Sequence, residues 1–528
     1  MPRDPRLVAF LCDGCAYAAA DAAGRARLEV PHELLSIRVV CTGRVEPALV
    51  LQAFREGADG VLVAGCHPGE CHHGGANLAA ASRFELLSAT LRQLGVPEGR
   101  FRLEWIGAGQ PDRFALVARE MVEGLRALGP LEYAGRLGPA AAPLAVPEAA
   151  PRAPGRPRVA FWWNSSCGGC EEAVVDLGPD LAPLLGECEV VLWPFALDYK
   201  RRDVEALPDG SIDVAFLNGA VRLEDQLEWS RLLRRKARRL VAVGACAQLG
   251  GVVGLGNLTG PGEIEAAART PLGAAAPEPV APRPGEPRLP PVLARVVPLT
   301  EVVEVDAILP GCPPSPELVL AAVRRLLDPA PLRPAEVLAP DLALCERCPR
   351  RETMPERLEL TALRRLGTTQ PDPATCFLAQ GLLCMGPATR QGCGDDCGCV
   401  GANVPCRGCF GPLDGVRDQG AAFLAALGTL LAAPGERGLR ALARTVPDPA
   451  GTFYRYGLAA ATLPARTPLA APPQLSPPER GGSAAEDPTS PPLPPERGGS
   501  AAGDPTSPPL PRERGRDGEG ARRREAEE

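Results

Sequence analysis

Four cysteines in the middle of the chain have the residue type and spacing of a metal site. Cys167 and Cys170 lie in the run Ser-Ser-Cys-Gly-Gly-Cys, Cys246 follows Val-Gly-Ala, and Cys312 lies in Pro-Gly-Cys-Pro-Pro. Each of the three places follows an apolar run that predicts a buried strand. Because the carboxyl ends of parallel strands meet at one edge of a sheet, the four thiolates are expected to converge there. Thiolates in that number hold iron–sulfur clusters.

Five further cysteines near the N-terminus suit a second metal site. Cys12, Cys41 and Cys66 each end a predicted strand, Cys15 follows Cys12 at C-x-x-C spacing, and Cys71 follows Cys66 closely. Ligands of open α/β sheets gather beyond the strand ends, so these thiols are expected to share one crevice. Four of them suffice for a 2Fe–2S cluster. Zinc is the alternative, because a neighbouring histidine would complete its ligands. The candidate histidines are His67, His72 and His73.

A third group of cysteines occupies a segment in which little regular secondary structure is predicted. Its members are Cys345, Cys348, Cys376, Cys384, Cys393, Cys397, Cys399, Cys406 and Cys409. Such a segment builds little apolar core and needs metal or disulfides to fold. It contains no histidine, which excludes a Cys–His zinc finger and leaves two Cys₄ zinc sites possible.

Apolar runs alternate with helical patterns in the two regions that carry the first two cysteine groups. The predicted strands are 7–12, 35–41, 60–66, 101–106, 158–163, 189–195, 212–217, 239–244 and 303–309. The clearest predicted helices are 47–56, 77–94, 224–237 and 316–327. This alternation favours parallel sheets with crossover helices. The predicted fold class is therefore α/β, with two doubly wound, flavodoxin-like parallel-sheet domains followed by an irregular cysteine-rich, cluster-binding segment and a disordered tail.

The same patterns set the expected domain boundaries. Residues 5–133 and 158–330 form the two α/β domains, and the Pro- and Ala-rich residues 134–157 link them. The cysteine-rich segment spans 340–435 and holds an apolar run that is too short to cross a bilayer. Residues 465–528 repeat Glu-Arg-Gly-Gly-Ser-Ala-Ala and Asp-Pro-Thr-Ser-Pro-Pro, a composition that predicts a disordered tail.

Composition narrows the class of protein. A formal net charge of -7 gives no reason to expect nucleic acid or an anionic membrane as a partner. The N-terminal residues lack the basic and apolar regions of a signal peptide, so a cytoplasmic location is expected. With 19 cysteines, a long chain of this kind more often binds metal than forms disulfides.

The N-terminal region resembles the delta subunit of methyl-viologen-reducing hydrogenase. The resemblance rests on Leu-Cys-Asp-Gly-Cys-Ala-Tyr from residue 11, Cys-Thr-Gly-Arg-Val from residue 41 and Gly-Ala-Asp-Gly-Val-Leu-Val-Ala-Gly-Cys from residue 57. It implies one 2Fe–2S cluster and electron transfer to a heterodisulfide-reductase-type flavoprotein. All five cysteines are candidate ligands by this resemblance, and which one is not a ligand stays open.

The rest of the chain resembles the small subunit of a cytoplasmic nickel–iron hydrogenase, which implies three 4Fe–4S clusters. Cys167, Cys170, Cys246 and Cys312 correspond to the proximal ligands. The implied distal ligands are Cys345, Cys348, Cys376 and Cys384. The implied medial ligands are Cys393, Cys397, Cys406 and Cys409. Cys399 is surplus and competes with Cys397, and Cys188 is expected to be a structural thiol.

The two resemblances together imply a fusion of two electron-transfer subunits with no substrate-converting site of its own. The implied partners are the flavoprotein and a separate nickel–iron hydrogenase large subunit. Electrons are expected to move from the latter through the proximal, medial, distal and 2Fe–2S sites in that order. Two alternatives remain at this stage. One is the electron-transfer subunit of another complex-I-like oxidoreductase, and the other is a zinc-stabilised scaffold.

Overall fold

The computed structural model describes residues 3–131, 133, 143–145, 155–269, 290–393 and 398–466. The strands are β1 (Leu7–Cys12), β2 (Leu34–Val39), β3 (Gly60–Gly65), β4 (Phe101–Trp105), β5 (Arg158–Trp163), β6 (Glu189–Leu192), β7 (Ile212–Asn218), β8 (Val221–Leu223), β9 (Ala237–Val243), β10 (Val292–Val297), β11 (Ala307–Leu309) and β12 (Glu336–Val337). The α-helices are α1 (Ala18–Arg25), α2 (Pro47–Arg55), α3 (Ala76–Gln93), α4 (Pro111–Leu128), α5 (Gly169–Val175), α6 (Leu181–Glu187), α7 (Arg201–Glu205), α8 (Glu224–Lys236), α9 (Gly244–Leu249), α10 (Pro261–Arg269), α11 (Pro316–Leu327), α12 (Gln419–Leu430), α13 (Gly435–Ala443) and α14 (Pro449–Phe453).

Residues 3–131, the N-terminal module, form a parallel sheet of order β2-β1-β3-β4. All of β3 is buried, because helices cover both faces of the sheet at its centre. The order reverses between β1 and β3, which is the switch point of a flavodoxin-like sheet. The N-terminal cysteines lie at or after the carboxyl ends of β1, β2 and β3, as the sequence predicts.

Residues 155–338, the middle module, form a larger parallel sheet of order β12-β11-β9-β7-β5-β6. A separate antiparallel pair joins β8 and β10. Apolar clusters fill both faces of the parallel sheet. The predicted fold class of two doubly wound α/β sheets is thus confirmed. The predicted strand over 303–309 is shorter in the structure, because Val303 leaves the sheet and bridges Leu144 instead.

The part of the cysteine-rich segment that precedes α12, residues 340–416, contains no long helix among its described residues. Buried arginine side chains hold its irregular backbone in place. Arg350 donates to the carbonyls of Asp372 and Thr375 and to Asn403 Oδ1, and its guanidinium lies 3.9 Å from the centroid of Phe377. These bonds tie three parts of an irregular chain to one side chain. The segment therefore has an ordered frame even where regular secondary structure is short.

The C-terminal helices α12, α13 and α14 pack on α3 of the N-terminal module. Ser82 Oγ donates to the carbonyl of Gly428 at 2.6 Å, and the carboxylate of Glu85 accepts from Arg440 at 3.1 Å and from Arg444 at 2.7 Å. Burial raises the pKa of Glu85, but the hydrogen bonds from Arg444 and Arg440 outweigh it and the pKa is lowered. The helix α3 is consequently buried between its own sheet and the C-terminal helices.

A strap formed by residues 462–466 contacts the N-terminal and middle modules together. Tyr133 donates its hydroxyl hydrogen to the carbonyl of Ala465 and accepts from the same residue's N–H, at 2.7 and 3.1 Å. Asn257, in the middle module, donates to the carbonyl of Pro464 at 2.9 Å. Arg55 donates to the carbonyl of Thr462 at 3.1 Å. The parts of the chain that the structure describes therefore form one packed body.

The predicted linker, residues 134–157, and the predicted tail, residues 465–528, lie almost wholly outside the described residues. Among the residues that are described, no helix is long and apolar enough to cross a membrane.

Candidate metal centres

The four cysteines of the middle module meet at the carboxyl edge of its sheet. Cys170 lies in the first turn of α5, which follows β5. A Cβ on Gly244 would lie 2.5 Å from Cys170 Sγ, so the turn after β9 approaches that sulfur closely. A Cβ on Gly251 would lie 2.3 Å from Cys246 Sγ. Glycine at these two positions leaves the space that a bulky sulfur-bound group requires.

Burial and the proximity of other thiols raise the pKa of Cys170, Cys246 and Cys312 in the absence of metal. The pKa of Cys170 is raised strongly by burial, and further by the nearby Cys246, Cys312 and Cys167. Burial and the neighbouring Cys312 and Cys167 raise the pKa of Cys246 to about 12. A metal ion must therefore displace protons when it binds, since the thiolate is the ligand.

Gly244→Ala is expected to reduce the iron content of the protein. Gly244 has φ of +79°, and the added methyl group would also collide with Cys170 Sγ. Gly168→Ala is the matched control, because Gly168 has φ of +88° but no atom within 4 Å of an added Cβ. Both variants carry the strain of a left-handed residue, about 1 kcal/mol, and only Gly244→Ala displaces the sulfur. Equal iron content in the two variants, measured after anaerobic purification, would contradict this role of Gly244.

A second set of four thiols meets within the cysteine-rich segment, as the sequence predicts. Burial raises the pKa of Cys345 to about 12, and Cys384, Cys348 and Cys376 add to the rise. Gly386 lies against this group, since a Cβ added at that position would be 3.1 Å from Cys345 Sγ and 3.6 Å from Cys384 Sγ. All four predicted distal residues are thus neighbours.

The predicted medial group is only partly described. Burial raises the pKa of Cys409 to about 12, with further contributions from Cys312, Cys399 and Cys393. Cys406 is buried beside Cys409, and its pKa is raised in the same way. Cys397 lies outside the described residues. Cys399, surplus by sequence, lies near Cys409, so the structure leaves Cys399 as a competitor for the fourth ligand position.

The three groups are arranged in series. Cys409 lies beside Cys312 of the middle module, whose thiol and backbone N–H both influence the Cys409 pKa, and this proximity links the first group to the medial group. The N–H of Met385, next to Cys384, donates to the carbonyl of Cys406 at 2.9 Å. The medial residues therefore lie between the middle module and the predicted distal residues.

The N-terminal cysteines also meet in one crevice. Cys66 Sγ lies 3.1 Å from Cys15 Sγ and 3.7 Å from Cys12 Sγ, and all three residues are buried. Cys41 and Cys71 interact with each other, Cys41 also lies near Cys12, and Cys71 lies near Cys66. Burial raises the pKa of Cys71, but the N–H groups of neighbouring residues outweigh burial and lower it. The structure brings all five predicted residues together.

His72 was among three histidines that the sequence could not separate. Its Nδ1 lies 4.0 Å from Cys66 Sγ, and the donor atoms of Cys15, Cys66 and His72 lie within 4.8 Å of one another. His67 instead pairs with Gln110 at 2.8 Å. The structure therefore places His72, rather than His67, beside the cysteine sulfurs, a distinction that sequence spacing does not make.

Arg83 is a positioning residue that the sequence analysis missed. It is buried on α3, and its guanidinium donates to the carbonyls of Gly43 and Val45 at 3.0 and 3.2 Å. It therefore fixes the loop that carries Cys41. The sequence does contain an indication of this role, because Arg83 is a charged residue among the apolar residues that form the buried face of α3.

The residues present fit iron–sulfur groups. The thiols converge, glycines clear space at their sulfurs, and the buried hydroxyl of Thr42, next to Cys41, has no hydrogen-bond partner among the described residues. A buried polar atom without a partner is rare and is expected where a further group binds. This class of site, on two parallel sheets, defines an iron–sulfur electron-transfer protein.

Comparison with known proteins defines the family. Residues 7–129 match the model of the methyl-viologen-reducing hydrogenase delta subunit, and residues 167–326 match that of the NADH ubiquinone oxidoreductase 20 Kd subunit. The chain is 34% identical over 317 residues to an iron–sulfur subunit of the F420-non-reducing hydrogenase of Archaeoglobus profundus, which covers 58% of this chain and 97% of that protein. It is 43% identical over 130 residues to a second iron–sulfur subunit of the same hydrogenase and organism, with coverage of 25% and 95%.

The N-terminal module has a further type of relative. Over 127 residues the chain is 42% identical to one subunit of the ferredoxin/F420H2-dependent CoB–CoM heterodisulfide reductase of Methanosarcina acetivorans, which covers 24% of this chain and 16% of that protein. The chain belongs to the family of F420-non-reducing hydrogenase iron–sulfur subunits, and it joins relatives of two such subunits in one polypeptide. It is the electron-transfer component of a hydrogenase-type oxidoreductase.

Proposed function

We propose that this chain conducts electrons between a heterodisulfide-reductase-type flavoprotein and a nickel–iron large subunit. The observation that carries the proposal is the serial arrangement of the cysteine groups in one packed body. The medial residues neighbour both the middle module, through Cys312 and Cys409, and the distal residues, through Cys406 and Met385. A relay requires neighbouring sites of this kind.

The proposed ligands are those that the resemblance implies. Three 4Fe–4S clusters and one 2Fe–2S cluster, when bound, would accept and release single electrons. Four of the five N-terminal cysteines would hold the 2Fe–2S cluster. The proposed domain boundaries are 5–133, 158–330 and, for the cysteine-rich domain, 340–435. The helices α13 and α14 and the strap follow this domain and pack on the N-terminal and middle modules.

The proposed entry face lies at the middle module. Cys167 and Cys312 are exposed there, although the other members of their group are less accessible. Trp163, at the end of β5, is 42% exposed, and Val252, beyond α9, is 49% exposed. Apolar side chains of this size beside exposed ligands favour coverage by a partner, here the large subunit.

The proposed exit face lies at the N-terminal module. Val40 is 67% exposed, and its carbonyl lies 3.9 Å from Cys12 Sγ, so the crevice opens at this edge of the sheet. The relative within heterodisulfide reductase supports a flavoprotein of that type as the acceptor, because there the same kind of domain is part of the reductase chain.

Zinc is the second candidate for the N-terminal crevice alone. The proximity of Cys15, Cys66 and His72 suits a tetrahedral zinc ion as well as it suits part of an iron–sulfur site. Iron, acid-labile sulfide and zinc measured on anaerobically purified protein, with EPR of the reduced state, distinguish the two. Zinc in place of the 2Fe–2S signal would end the proposal of an exit through this module.

Cys66→Ala is expected to abolish electron delivery to the flavoprotein while the other clusters remain reducible. Cys66 is the common neighbour of Cys12 and Cys15, so its loss removes the centre of the N-terminal group. Hydrogen-dependent flavoprotein reduction by the complete complex is the measurement, and EPR of the 4Fe–4S clusters is the internal control. Delivery at the wild-type rate in a variant without the 2Fe–2S signal would refute the proposed route.

A further inference from the structure

We propose that His72 is a positioning residue that donates a hydrogen bond from Nδ1 to the Cys66 thiolate of the loaded N-terminal site and thereby raises the reduction potential there. This inference rests on the proposed 2Fe–2S site. The ring nitrogen lies 4.0 Å from Cys66 Sγ, which is within the range of hydrogen bonds to sulfur. His72 Nδ1 is also the atom nearest to the position that a Cβ would occupy at Gly14, at 3.5 Å. The ring therefore lies over the turn between Cys12 and Cys15.

The donors to the other thiols come from the backbone. The N–H groups of Gly14 and Cys15 lie close enough to Cys12 Sγ to favour its thiolate. Cys41 Sγ accepts from the N–H of Gly43 at 3.4 Å. These donors remain in place whether or not metal is bound, because amide protons are not displaced by it.

Cys66 differs from them. Its partners among the described residues are the thiols of Cys12 and Cys15 and the ring of His72. Ligation removes thiol protons, so any of these cysteines that binds iron ceases to donate. If both bind, His72 is the remaining donor to Cys66 Sγ in the described structure. Burying a negatively charged sulfur without a hydrogen-bond donor is unfavourable in free energy. A hydrogen bond from His72 to Cys66 Sγ would reduce this cost.

Asn77, at the start of α3, holds the beginning of the loop that carries His72. Asn77 Nδ2 donates to the carbonyls of Cys66 and His67, both at 2.9 Å. The ring itself is exposed, whereas Cys15 and Cys66 are buried. His72 therefore lies between the sulfurs and solvent. Five thiols are already available for four ligand positions, so the site does not need the ring nitrogen as a ligand.

The test is a redox titration of the full chain in its complex, followed by EPR of the 2Fe–2S signal. His72→Ala is expected to keep the cluster and lower its potential, because hydrogen bonds to ligand sulfurs favour the reduced state. We expect the equilibrium constant for reduction to fall by up to tenfold, which is about 59 mV for one electron. His72→Asn keeps an N–H donor and is expected to restore part of the shift.

His73→Ala is the matched control, since His73 is the neighbouring histidine and its backbone N–H, which lowers the pKa of Cys71, survives the substitution. An unchanged potential in His72→Ala would overturn the inference, and so would strong nitrogen coupling in pulsed EPR of the wild type, which would make His72 a ligand. Wild-type protein without any 2Fe–2S signal would overturn the proposed site itself, a result distinct from both.

Discussion

Replacing Gly428 with valine is expected to release the N-terminal module from the C-terminal helices and to interrupt electron delivery through it. A Cβ at Gly428 would lie 2.7 Å from both Cα and Cβ of Arg83 on α3. Because one of these atoms belongs to the backbone of a buried helix, the clash cannot be relieved by rotating a side chain. Overpacking of this kind costs about 1–3 kcal/mol, and every 1.4 kcal/mol is about tenfold in an equilibrium.

The clash also separates a bonded pair. Ser82 Oγ donates to the carbonyl of Gly428, and both groups are buried. We therefore expect the equilibrium constant for docking to fall by at least ~10-fold, since each ~1.4 kcal/mol lost is about tenfold, and hydrogen-dependent flavoprotein reduction to fall with the docked fraction. The EPR signals of the clusters proposed for the middle module and the cysteine-rich segment are expected to stay at the wild-type level, because the clash lies at Arg83 on α3 and touches none of their candidate ligands.

Gly124→Val is the matched control for Gly428→Val. Gly124 lies in α4, where no atom approaches within 4 Å of an added Cβ, so this variant carries the same cost of valine in a helix without the clash. Hydrogen exchange of α3 reports the docking directly. Wild-type protection of α3 in Gly428→Val, together with wild-type electron delivery, would show that the interface accommodates the side chain.

The second large effect is expected from Cys170→Ala in the middle module. Burial raises the pKa of Cys170 strongly, and the thiols of Cys246, Cys312 and Cys167 raise it further, which places its sulfur among them. Its loss should remove one cluster, about four irons per chain. Because altering even the residues that support metal ligands costs 10–100-fold, we expect removal of a ligand to lower hydrogen-dependent electron delivery by ~100-fold or more.

Cys188→Ala controls for the loss of a buried thiol. Cys188 packs in the apolar cluster on one face of the same sheet, beside α6, and has no assigned ligand role. Any cost it shows is that of deleting a small buried side chain, about 1 kcal/mol. Full iron content in Cys170→Ala, or equal iron loss in both variants, would contradict the assignment of Cys170 to the proximal group.

Local patterns in the sequence predicted the two parallel sheets well, whereas the grouping of the cysteines beyond residue 340 came from the family resemblance. Strands β1 and β5 begin and end where the apolar runs do, because buried parallel strands are continuous apolar segments bounded by turns. The cysteines that follow strand ends converge for the same topological reason. The match to family models over 7–129 and 167–326 agrees with the two regions in which that logic applied.

The contacts between modules could not be predicted in the same way. The sequence indicated separate domains joined by a linker, yet Glu85 pairs with Arg440 and Arg444, and Tyr133 bonds to Ala465. Such pairings join residues hundreds of positions apart and leave no periodic signal. The helices α13 and α14 were missed because both are short, and short helices depend on tertiary packing more than on their own sequence.

The burial of α3 has a consequence for how the chain is made. Residues 94–418 must be synthesised between α3 and the first helix that covers it. At a synthesis rate of about 5–20 residues per second, this takes tens of seconds, during which the surface of α3 is not yet covered by the C-terminal helices. During this interval the apolar face of α3 that the C-terminal helices later bury is exposed to solvent on the nascent chain.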